Sequence, residues 1–217
     1  MDPYATVQTI ERNTYDLQEA LYVRVVGPYN LATPFTLEVN VTGGVCGDVQ
    51  PVPDSHPVIS GPAPSSGSLM SLILTDSSRL HGTSTEIAAA LADLEALAQR
   101  SDVNGLVIDL NDPQYPRVAF ANTEADQTLA CAAAKNTVAK EIKNVIDAYR
   151  AANPTLEYIV LAGGADVIPF FQVQDVSGLA NEKDYVVPVA PSTASEAGLK
   201  TNLVQGQDGY GSQMDIT

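Results

Sequence analysis

Apolar residues change their spacing several times along this chain, and each change marks an element. Residues 21–26 (LYVRVV) form a dense β-branched and aromatic run, and residues 35–41 (FTLEVNV) alternate apolar with polar, the period of a half-buried strand. A loop containing Gly, Pro and Asn joins them, so the pair predicts a β-hairpin. Two strands alone bury too little apolar surface to stand in water. Residues 1–42 are therefore expected to be the hairpin remnant of a β-rich domain, and the chain a piece of a longer protein. From 43 to 67 (GGVCGDVQPVPDSHPVISGPAPSSG) periodicity vanishes and Gly, Pro and Ser dominate, the composition of a linker.

Beyond it, residues 68–217 alternate strand and helix patterns. Residues 69–74 (LMSLIL) predict a buried strand. Thr83 to Glu86 reads as a capping box, and Ile87, Leu91, Leu94 and Ala98 recur on one face of a helix expected over 84–100. Residues 105–110 (GLVIDL) give the second strand, an alanine-rich helix is expected from about 126 to 150, and Asn153-Pro154 closes it. Residues 157–161 are the third strand. The order β-α-β-α-β predicts an α/β fold, a parallel sheet covered by helices on both faces with right-handed crossovers. After Phe171 the pattern loosens, with only residues 184–189 reading as extended.

Composition narrows the function classes. Lys and Arg number 11 against 26 Asp and Glu, a net charge of -15 that repels a phosphate backbone, so no nucleic-acid partner is expected. No apolar run reaches the length of a membrane span. The first 18 residues, MDPYATVQTIERNTYDLQ, do not read as a secretory signal. Cys46 and Cys131 fit neither a closely spaced metal site nor a disulfide-dense scaffold; a single bridge is an alternative, and two separate thiols are the expectation.

Chemistry is sought at the carboxyl ends of the strands, where ligands collect in an open parallel sheet. Asp76, Asp109 and Asp166 each fall at or just after a strand end, where they either converge on a cation or cap the following turns. Gly163-Gly164 lacks the lysine and hydroxyl of a phosphate-binding loop, and a turn needing positive φ explains it more simply. A phosphoacceptor site wants an acidic pair, a central aspartate and a lysine after a later strand, and it is disfavoured because no lysine occupies the matching place. Cysteine-histidine catalysis needs a thiolate and a base within hydrogen-bond reach. His56 lies in the linker between Ser55 and Pro57. His81-Gly82 precedes the first helix's capping box rather than following a later strand. Cys131 opens the alanine-rich helix and Cys46 lies in a GGVCGD turn, so no catalytic residue is assigned.

Residues 158–171 (YIVLAGGADVIPFF), preceded by IKNVIDAYRAANP and followed by NEKDY and by QGQDGYG, resemble the gingipain family of clan CD cysteine peptidases. The match lies in the N-terminal catalytic subdomain, over about residues 69–211. In that family a strand of type Y-V-L-L-hydrophobic-G leads into an acidic residue and Ile-Pro, and an Asp-x-Tyr segment follows; here those places are Tyr158 to Pro169 and Asp208 to Tyr210. The resemblance implies a caspase-like fold, peptide-bond hydrolysis by a cysteine thiolate and a histidine, an extracellular or cell-surface location, and often bound calcium. The family's catalytic His-Gly and Cys lie downstream of the Asp-x-Tyr segment and have no counterpart before Thr217. The expectation is thus the N-terminal portion of a secreted gingipain-like peptidase, inactive alone, whose partners are the downstream remainder of the same polypeptide and a protein or peptide substrate. The alternative is a non-enzymatic binding or scaffold module of a secreted surface protein that takes calcium at Asp76, Asp109, Gly163, Gly164, Asp166 and Asp208.

Overall fold

Leu72, Ile73 and Leu74 have no exposed surface, and the α/β unit is organised around the strand that carries them. That strand, β1 (Ser71–Thr75), is buried along its whole length, as a central parallel strand with both faces covered must be. It pairs in parallel with β2 (Gly105–Asp109), Ser71 opposite Gly105, and with β3 (Tyr158–Leu161), Ser71 opposite Tyr158, so the sheet runs β2-β1-β3. The computed structural model describes residues 35–39, 46–61, 67–177 and 180–212. Most of the hairpin expected over 21–41 lies outside the described residues, and 35–39 carry no regular element.

Helix α1 (Ser84–Ala98) begins at the expected capping box: Thr83 accepts from the Glu86 backbone, and the Glu86 carboxylate returns to the Thr83 N–H. It lies on the sheet face that carries Ile73. On the opposite face Leu72, Leu74 and Ile108 join one apolar cluster with Val118, Val138 and Ile142.

That opposite face corrects one expectation. In place of a single helix over 126–150 there are two, α2 (Pro116–Gln127) and α3 (Ala132–Ala152). Pro116 sits at the first helical position, where its missing donor costs nothing and its fixed φ suits the start of a helix. Only Val118, Ala121 and Ala125 of α2 are buried, and this narrow stripe of small residues lets the two helices approach closely. The Tyr115 and Tyr149 hydroxyls meet at 3.0 Å between them. Burial first, then this hydrogen bond, drives the Tyr115 phenol far above its usual range and keeps it protonated.

The region after Phe171 is also more ordered than its sequence suggests. β4 (Phe171–Gln174) and β5 (Leu203–Gly206) form an antiparallel ribbon, with α4 (Ala194–Lys200) leading into β5 and α5 (Asp208–Gly211) following it. Residues 184–189, expected to be extended, hold no strand; a 3-10 turn, Glu182–Asp184, begins them. Four-residue strands are too short to display a period, and Pro188 cannot donate to a ladder.

The expected linker is, over residues 46–61, a strap on this unit. Val49, Val52, Val58 and Ile59 pack against the core, Ser60 N–H donates to the Gln114 carbonyl at 2.7 Å, and the Arg117 guanidinium donates to the His56 carbonyl at 3.3 Å. Its prolines suppress periodicity, but the apolar residues between them still have surface to bury. Cys46 and Cys131, expected as separate thiols, are joined in a disulfide with Cα atoms 5.2 Å apart, because the strap runs back to the start of α3. Cys131 is also the N-cap of α3, its sulfur accepting from Ala134 N–H.

Candidate functional site

All three strands of the parallel sheet end at one edge, and that edge is stitched together before any side chain reaches solvent. The Thr75 hydroxyl donates to the Ala162 carbonyl at 2.9 Å, fixing the exit of β1 against the exit of β3. Next to it Asp76 is 2% exposed. Its carboxylate accepts from the Ser78 N–H at 3.0 Å and from the Ser78 hydroxyl, and lies 3.4 Å from Arg79 Nε. Arg79 then forks onto Asp126 of α2, and Lys135 of α3 stands 3.6 Å from the same carboxylate. Two cations and two carboxylates thus bridge the β1 exit to both helices. Burial, helped by the Arg79 charge, pulls the Lys135 ammonium below its usual range.

Asp109, at the end of β2, accepts from Ser77 N–H at 2.9 Å and Asn111 N–H at 3.1 Å, which holds the two neighbouring turns in register. At the β3 exit Gly163 has φ +139, and a Cβ there would lie 2.6 Å from Val167 Cβ, so only glycine fits. The Gly164 carbonyl accepts from Val167 and Ile168 N–H, and this tight turn sends both following side chains into the core. Asp166, on the outside of the turn, faces His81 of the loop between β1 and α1, with Nε2 to Oδ2 at 2.6 Å. The hydrogen bond to His81 is the main reason that the Asp166 carboxyl titrates below its ordinary value. Side-chain exposures of 89% for His81 and 57% for Asp166 leave the pair open to water. An open hollow of about 350 Å³ adjoins it, lined by Leu80, His81, Gly82, Glu86, Ile87 and Ala90.

Asp76, Asp109, Gly163, Gly164 and Asp166 therefore share the carboxyl edge. Asp76 is engaged by Ser78 and Arg79 of its own turn, Asp109 by Asn111 of its own turn and Ser77 of the turn after β1, and Asp166 by His81. Asp208 stands apart, on α5 beside Ile159 and Leu161 of β3. Among the described residues no group of three or more His, Cys, Asp or Glu is placed to hold one metal ion. The pairing of His81 with Asp166 spans 85 positions and the Arg79–Asp126 contact 47, so neither leaves a local sequence signal.

An imidazole oriented by a carboxylate is half of a nucleophilic site, able to take and return a proton. The thiol half is not supplied here, since both cysteines are consumed in the disulfide. His56 lies in the strap, its ring edge-on to Phe120 at 5.7 Å.

The two short motifs meet in space through Pro169 and Tyr210, 41 positions apart. Tyr210, 1% exposed, donates its hydroxyl to the Pro169 carbonyl at 2.6 Å and lays its ring 4.8 Å from that of Phe171. Burial raises the Tyr210 phenol well above its usual range, so the donor is permanent. No helix among the described residues is long and apolar enough to cross a membrane. Comparison with protein-family models, curated proteins and solved structures finds no match to this chain.

Proposed function

We propose that this chain is the amino-terminal portion of a gingipain-like cysteine peptidase working outside the cytoplasm, and that it supplies a scaffold for peptide-bond hydrolysis rather than the nucleophile. The observation that carries the reading is the Tyr210 to Pro169 hydrogen bond, because it couples the two segments on which the family resemblance rests. Two further features agree with it. A disulfide between Cys46 and Cys131 suits an oxidising, extracytoplasmic compartment. A chain whose cysteines are both bonded has no thiolate to offer, as expected of a portion lying before the catalytic residues.

The test is to assay a fluorogenic peptide library with this chain alone and with the same chain joined to its downstream polypeptide. Only the longer protein is expected to cleave, and thiol alkylation should abolish that activity. Cleavage by the chain alone that disappears in His81→Ala, or an inert but folded longer protein, would overturn the proposal. The second reading, a non-enzymatic binding module, is favoured by the solvent exposure of the His81–Asp166 pair, since catalytic bases work best where water is excluded. Calcium belongs to that reading, and a thermal shift on adding the metal would support it.

A further inference from the structure

The Cys46–Cys131 bridge joins two sulfurs in unequal surroundings. Cys131 has no exposed surface and belongs to the apolar cluster, whereas Cys46 packs against that cluster and keeps part of its surface in water, with Gly47 and Asp48 exposed beside it. Exchange at a disulfide starts with a thiolate attacking one of the two sulfurs, and access decides which. A thiolate arriving from solution meets Cys46.

The sulfur expelled by that attack is the one better placed to carry negative charge. Cys131 Sγ already accepts from Ala134 N–H at 3.2 Å, at the N-terminus of a 21-residue helix whose first turn holds no acidic residue and whose fourth residue is Lys135. The Lys135 side chain is only 16% exposed, so its charge is weakly screened. Helix N-termini and neighbouring cations bring a cysteine pKa from about 8.5 to between about 3.5 and 7.5, while apolar burial works the other way. Here the bonded N–H, the helix and the cation act together against burial. At the other end the balance is reversed, because Cys46 lies in a turn outside any helix and Asp48, two residues on, disfavours a thiolate formed there. The lower-pKa thiol leaves faster, so access and charge select the same direction.

We infer that Cys46 is a thiol-exchange site, at which a small soluble thiol is taken up as a mixed disulfide. The incoming thiol gives its proton to water, and its thiolate bonds to Cys46 Sγ as the bond to Cys131 breaks, with the electron pair of that bond leaving on Cys131. One disulfide and one thiolate are consumed and one of each is formed, so no further oxidant or reductant enters. The Cys131 thiolate stays at the start of α3, from which attack on the mixed disulfide returns the thiol and restores the bridge. While the adduct lasts, the strap keeps its bonds from Ser60 to Gln114 and from Arg117 to His56 but loses its covalent tie to α3.

The test exposes the folded, oxidised chain to cysteamine, a cationic thiol suited to a net charge of -15, stops the reaction with acid and excess maleimide, and maps both cysteines by mass spectrometry. Cysteamine should be found on Cys46 and maleimide on Cys131, with the reverse adduct the minor product. In a Cys46→Ala chain the Cys131 thiolate, followed by its ultraviolet absorbance, should form at lower pH than that of free cysteine. Lys135→Met should move that titration up by about half a pH unit and slow exchange in the bridged chain about threefold, the size of one charge at a helix terminus. Three results overturn the inference: adducts on Cys131 or equally on both cysteines, reaction only at denaturant concentrations that unfold the chain, or a Cys131 titration at or above that of free cysteine.

Discussion

The Cys46–Cys131 disulfide gives the sharpest prediction, since its size follows from chain length alone. The bond closes a loop with a sequence separation of 85 residues. Removing that closure from the unfolded chain returns about 15 cal/mol/K of entropy, or about 4.5 kcal/mol at 25 °C on the chain-entropy model. A domain of this size loses roughly 2 to 4 °C of Tm per kcal/mol, so the oxidised protein should melt about 10 to 15 °C above its bridge-free form. The bridge-free form should be Cys46→Ala with Cys131→Ser. Serine keeps an oxygen acceptor for Ala134 N–H, so the α3 cap survives and the difference reports loop closure. Thiol titration of the unfolded, unreduced wild type should find no free thiol. A drop of less than about 3 °C, with the bond shown to be formed, would refute the entropic argument and put the strap's hold in its apolar contacts.

Three other outcomes follow from single contacts. Glu141 is buried beneath a bidentate pair of bonds from Arg117, at 2.7 and 2.8 Å; burial alone would raise its pKa, but Arg117 and Asn144 outweigh it and hold the carboxyl below its usual range. A depressed folded pKa means stability that is present above the ordinary carboxylate range and lost as pH falls through the folded value. Glu141→Gln should therefore cost about 3 kcal/mol at neutral pH, by leaving the Arg117 charge unpaired, and should flatten the acid limb of a denaturation profile. Gly163→Ala should destabilise by about 3 kcal/mol in urea titration, from positive φ plus the Val167 contact, whereas Gly164→Ala meets only the rotatable Asp166 carboxylate and should cost about 1 kcal/mol or less. Tyr210→Phe should cost about 1 to 2 kcal/mol by orphaning the Pro169 carbonyl, and hydrogen exchange should quicken in residues 168–171 first.

What the sequence made legible was whatever has a period or a cap. β1, β2, β3 and α1 lie within a residue or two of their expected limits because apolar runs and the Thr83–Glu86 box are local signals. Helix α2 was missed because its buried stripe is alanine, which reads as neutral, and because Pro116 punctuates a loop as readily as it starts a helix. The strap was misread for a related reason: prolines erase periodicity without removing the apolar side chains between them. At the candidate site the local features were visible, with Gly163 read as a turn needing positive φ and three aspartates read as lying at strand ends. Their partners were not. His81 meets Asp166, Arg79 meets Asp126 and Cys46 meets Cys131 only because the β2-β1-β3 order folds distant loops onto one another.

The disulfide has a topological consequence apart from stability. Any single backbone cut between Cys46 and Cys131 falls inside the closed ring, so both halves stay covalently joined and everything preceding Cys46 remains tethered to α3. In surroundings rich in proteases, nicking of the exposed stretches of the strap would leave the molecule in one piece, and a nicked population would betray itself only as smaller bands on a reduced gel.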